Sequence, residues 1–183
     1  MNNNYGNKPY NSNSKNQSSQ NNNSYNKNYE RPKKELDVDS KNFITNIKYY
    51  DAKGEVEVNL FSEEAKAIVK EIAKPAHNCN DRSFKETKNS ITQLRRFYND
   101  VLAIKNKIEY SKDPELEFQK ELPYIKMIAA KANYACQREH ITIFLNEFLK
   151  HNIITLIEKK RDYNVFCTLL ESIIAYSTGT LPK

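Results

Sequence analysis

SITQLRRFYNDVLAIKNKIEY, residues 90–110, places Ile91, Leu94, Tyr98, Val101, Leu102 and Ile108 within one broad stripe when successive residues turn by ~100°. The spacing predicts an amphipathic helix from Asn89 or Ser90 to about Tyr110, with that stripe as its core face. Outward from it the same period recurs. Upstream, Ser62 reads as an N-cap, Glu63 and Glu64 as first-turn carboxylates, and Ala65, Ile68, Val69 and Ile72 as one apolar face ending before Pro75. Downstream, Asp113-Pro114 reads as N-cap and first position of a short acidic helix. Leu122-Pro123 then opens another helix, through Tyr124, Ile125, Ile128, Ala132 and Ala135. Two more apolar helices follow, at about 141–156 and 163–177, separated by the charged linker 158–162, and Gly179 and Pro182 close the chain. The expected fold is all-α, a bundle of about five to six helices with short antiparallel connections.

The remainder of the 183 residues divides by composition. Residues 1–38 are a low-complexity mixture of Asn, Ser, Gln, Lys and Tyr, including NSNSKNQSSQNNNS, and are expected to form a disordered tail. Such a segment buries too little apolar surface to offset the entropy of ordering its backbone. Residues 39–60 read as an arm or short hairpin. Ile47, Tyr49 and Tyr50 precede the turn-like Asp51-Ala52-Lys53-Gly54, and Val56 and Val58 alternate with Glu55 and Glu57. Two strands this short need a body to pack on. Residues 61–183 form the helical domain.

Charge and composition exclude several classes of protein. The net charge is +6, of which the tail holds half, so the domain is only mildly basic. A local nucleic-acid patch is permitted rather than demanded. Mean hydropathy is −0.84 and no apolar run approaches the ~18 residues of a membrane span. The opening MNNNYGNKPY is expected not to be a secretory signal. Three cysteines without a close pair point to free thiols in a reducing cytoplasm. Gly6, Gly54 and Gly179 are isolated, so no loop is expected to cradle phosphates. Candidate metal ligands are His77, Cys79, Cys136, His140, His151 and Cys167, with Cys136 and His140 four apart. Cys136 and Cys167 lie among apolar residues, so the expectation is core thiols, with no metal and no cofactor. The glutamates sit mainly on helix surfaces, and no acid–base constellation of an enzyme emerges.

Basic residues carry what remains. With Leu94 facing the core, Arg95 is expected at the edge of the buried face and Arg96 in solvent. An arginine lying along packed side chains is preorganised to grip a phosphate bidentately, or equally to pair with a carboxylate such as Asp100. A second set, Lys126, Lys131 and Arg138, recurs on the helix that follows Pro123. Three segments, QLRRFY at 93–98, LPYIKMIAAKANYACQR at 122–138 and VFCTLLESIIAY at 165–176, resemble the small subunit of the type III-A CRISPR effector, the Csm complex. The likeness runs from about Leu60 to Tyr176. It implies a noncatalytic helical subunit, present in several copies that stack beside the backbone subunits along the groove where guide and target RNA pair. Its partners would be those RNAs, the large and backbone subunits, and other copies of itself. Carried over by position, Arg95, Arg96, Lys126, Lys131 and Arg138 would contact RNA phosphates, with Lys53 a lesser contributor, while guide pairing supplies specificity. The alternative is a helical protein–protein scaffold without direct RNA contact.

Overall fold

A computed structural model describes residues 1–2, 35–78 and 87–183. Residues 3–34 of the expected tail and Cys79 therefore fall outside the described residues, while the end of the 1–38 segment is ordered: Leu36 is buried, Asp37 caps a helix and Val38 begins it. The helices of the described residues belong to the compact unit Lys33–Lys183. There are six among the described residues, with no strand, in agreement with the all-α expectation.

Helix α1 (Val38–Asn46) arises where the sequence reads as an arm. Its own residues are poor helix formers, and what nucleates it is Asp37. One carboxylate oxygen accepts from Ser40 N at 2.8 Å and the other from Ser40 Oγ at 2.9 Å, which holds the Asp37 carboxyl below its usual pKa. Leu36 and Ile44 anchor it in the core. Beyond α1 a single antiparallel bridge, Tyr50 to Val56, closes around a turn in which Gly54 takes φ +80°. Side chains hold this loop to the helices. Tyr49 Oη donates to Asn152 Oδ1 at 2.7 Å, Tyr50 Oη donates to Asp162 Oδ1 at 2.8 Å, and Arg161 lies 4.6 Å over the Tyr50 ring.

Helix α2 (Ala65–Ile72) is entered through a π-helical turn, Leu60–Glu64, so Ser62 is inside the turn rather than its cap. Leu60 is buried, and drawing it into the core starts helical geometry two residues before Ser62. Helix α3 (Ile91–Glu109) begins where the sequence places it. Ser90 Oγ accepts from Gln93 N while Gln93 Oε1 accepts from Ser90 N, a reciprocal capping box. The core face is turned slightly from expectation: Ile91, Leu94, Phe97, Val101 and Ile108 are buried, and Tyr98 and Leu102 are half-buried.

Helix α4 (Pro114–Gln137) corrects the reading of two helices, for Pro123 lies inside it. Phe118, Ile125, Ile128, Ala129, Ala132 and Cys136 are all buried, so one apolar stripe crosses the proline without changing phase. Pro123 itself is exposed, and the carbonyl of exposed Gln119 that loses its donor can be hydrated. Helix α5 (Ile143–Lys150) runs into a second π-helical turn, His151–Leu156. Helix α6 (Lys160–Ser177) starts within what reads as linker. Asp162 is buried because its carboxylate accepts from Glu158 N at 3.1 Å and Lys159 N at 2.8 Å, capping the helix.

Helix α6 packs on α2 and α3, and α4 packs against both α3 and α5. Phe118, Phe144, Phe148, Tyr163 and Phe166 fill the centre. One buried amide ties three helix ends: Asn89 donates to Ile72 O and Thr142 Oγ1 and accepts from Thr142 N. No helix among the described residues is long and apolar enough to cross a membrane.

Candidate nucleic-acid interface

Because α3 and α4 pack side by side, their solvent-facing flanks leave a groove between them. Lys131 Nζ on α4 reaches Asp100 Oδ2 on α3 at 2.7 Å and divides this groove in two. Both partners are substantially exposed, 49% and 42%, so the pair is worth at most about 1 kcal/mol. One half is lined by Gln93, Arg96, Phe97, Asn99, Ala135, His140 and Ile141 and encloses about 480 Å³. The other half, of about 370 Å³, is lined by Ala103, Ile104, Lys107, Glu121, Tyr124, Met127 and Ile128. There Lys107 is bonded to the buried Glu121 carboxylate, with Glu117 at 3.8 Å, and the carboxylates raise its pKa.

The sequence-derived candidates separate on this frame. Arg96 lines the first half of the groove and has no hydrogen-bond or ion-pair partner among the described residues. Arg95, like Arg96, is exposed and not at the edge of the buried face, because the face centres toward Phe97 and turns Arg95 to the other flank of α3. Asp100, offered as a partner for Arg95, instead holds Lys131. Arg138 is the C-cap of α4, exposed, just beyond Ala135 at the groove. Lys53 is exposed in the turn that precedes the bridge to Val56, outside the groove.

Lys126 has a different fate. Its ammonium donates to the carbonyls of Ile153, Ile154 (3.2 Å) and Ile157 (3.0 Å), which end the second π-helical turn without helical donors. Burial draws its pKa below the usual lysine value. Gln93, Asn99 and His140, which sequence reasoning did not group with the basic candidates, line the groove through the register of α3 against α4, which no single-helix spacing reveals.

The metal candidates scatter. His77 is buried, stacked on Phe144 at 5.1 Å, with Nε2 3.1 Å from Glu71. Cys136 and Cys167 are both buried, and burial pushes the Cys167 thiol up to about 12. His140 is exposed, and burial lowers the pKa of His151. Among the described residues no three His, Cys, Asp or Glu side chains gather into a group that could hold a metal.

The family model described as Csm2 Type III-A matches residues 66–178, more than half of the chain. That span runs from the first turn of α2 through the end of α6 and includes both walls of the groove. No curated protein and no solved structure matches the chain. An all-helical body carrying the three quoted segments within the matched span agrees with the resemblance read from sequence, and the chain belongs to the Csm2 type III-A family, the small subunits of the type III-A CRISPR complex.

Proposed function

We propose that this chain is a noncatalytic, RNA-binding structural subunit of the Csm complex, whose copies stack along the paired guide and target RNA and hold phosphates in antiviral defence. The family is one of structural, noncatalytic subunits. The observation that carries the RNA reading is the arrangement of cations along α3 and α4. Among the described residues Arg96 and Arg138 have no hydrogen-bond or ion-pair partner, and Lys131 is held by an exposed ion pair that a phosphate can displace. Arg95 and Lys53 add charge away from the groove. Lys126 is spent inside the fold and contributes field rather than contact. Stacking is supported by the solvent face of α4, where Leu116, Met127 and Tyr134 fall along one line and are each about half exposed or more. The complex's large and backbone subunits are the expected neighbours.

Contact with phosphates releases counterions, so affinity of the full chain for single-stranded RNA should fall with salt at a slope of about −0.7 per phosphate contacted. Alanine at Arg96, Lys131 or Arg138 should weaken binding alike across RNA sequences and lower the slope by less than about one unit each. Fluorescence anisotropy over a salt series measures this. A triple variant that keeps wild-type affinity and slope while the complex fails to assemble would make these residues protein contacts, and the scaffold reading would stand.

A further inference from the structure

We propose that the half of the α3–α4 groove beside Arg96 seats a single unpaired base of an RNA strand, so that the subunit grips a nucleotide by base and phosphate together. The inference rests on the RNA-binding reading and names the part of the strand that enters. Three observations carry it. The cavity, at about 480 Å³, lies within the range of about 300–1,000 Å³ usual for small-ligand pockets. Its floor is apolar, made by Phe97, Ala135 and Ile141, while its rim carries the Asn99 amide and the His140 ring. At the same rim stand Arg96, without a hydrogen-bond or ion-pair partner among the described residues, and Lys131, released once a phosphate displaces Asp100.

A flat apolar ring with a polar edge and an attached anion matches all three features. A bare anion would leave the apolar floor unused, and an apolar peptide side chain would leave the cations unused. The second half of the groove offers the contrast. It has apolar surface in Tyr124 and Met127, but its Lys107 is already neutralised by Glu121 and Glu117. It therefore lacks charge for a phosphate. A base inside a duplex presents no free face, so the occupant is unpaired.

The test compares a short oligouridylate with an abasic ribose-phosphate strand of equal length, each titrated with the full-length chain at several salt concentrations. Wild type should bind the base-bearing strand about tenfold more tightly, with the same salt slope for both. Ala135→Met fills the floor without changing charge, and Asn99→Ala removes an exposed rim amide. Both should bring the two strands to within about threefold of each other and leave the slope unchanged. Asn99 is exposed, so its variant keeps the test independent of any packing defect at Ala135, and circular dichroism checks both folds. Equal wild-type affinity for the two strands, with normal salt dependence, overturns the base seat and leaves phosphate binding standing. Absence of salt-dependent binding to either strand overturns both.

Discussion

Two lysines five residues apart on α4 show how position decides the role of a side chain. The Lys126 ammonium satisfies three carbonyls at the end of a π-helical turn, whereas Lys131 spans open groove to an exposed carboxylate. Hydrogen bonds from a charged donor contribute about 1.5–3 kcal/mol, and exposed ion pairs about 0–1. Lys126→Ala should therefore destabilise the fold by roughly 1–3 kcal/mol and leave the RNA salt slope nearly unchanged. Lys131→Ala should do the reverse, moving stability by less than about 1 kcal/mol while lowering the slope. Denaturant titration beside anisotropy reads both, and equal stability losses would remove the distinction. The same logic applies on α3. Leu94 is fully buried and Arg96 exposed, so Leu94→Ala should cost about 2–5 kcal/mol and Arg96→Ala stay within about ±0.5.

At the scale of the helix, Pro123 interrupts the hydrogen-bond ladder of α4 at an exposed position, while a single buried stripe continues on either side. Packing sustains the helix against the proline. Pro123→Ala restores the donor to the Gln119 carbonyl and should raise stability by roughly 1–3 kcal/mol, seen as a higher denaturation midpoint. A loss would mean that the local geometry imposed by the ring is needed for α4 to meet α3 and α5. Helix α3 was legible because its start at Asn89 or Ser90 and its apolar stripe agree at the local level, and the Ser90–Gln93 capping box reinforces that start. Helix α1 was not, since its order depends on Leu36 and Ile44 reaching a distant core. The first turn of α6 looked like linker because Asp162 is charged, and only its three hydrogen-bond donors explain its burial. Of the proposed site, single-helix spacing offered Arg96, Lys131 and Arg138 as candidates, while the pairing of Lys131 with Asp100 required knowing which helices are neighbours.

The molecule as a whole protects several weak acids by burial, and this sets an alkaline limit to its stability. Tyr49 and Tyr163 are buried, and desolvation raises their phenols above the usual 10.0. Burial likewise takes Tyr50 to about 12 from 10.0, with Asp162 opposing ionisation further, and the Cys167 thiol to about 12 from 9.0. In each case the folded pKa lies above the unfolded one. Their contribution is thus complete below about pH 9 and is lost as pH rises toward 12, where the unfolded chain has released protons that the fold retains. Lys126 is shifted downward and works in the opposite sense, but it is one half-buried ammonium against four groups. Tyr163 Oη also donates to Val101 O at 2.7 Å, and Tyr49 Oη to Asn152, so ionisation removes donors that join α6 to α3 and the arm to the second π-helical turn. The melting temperature should hold steady from neutral pH to about 9 and then fall steeply. Far-UV circular dichroism and tyrosinate absorbance followed together should show a cooperative tyrosinate step coinciding with loss of helix. Complete ionisation of all tyrosines with the helical signal intact would show that Tyr49 and Tyr163 do not hold their protons through burial.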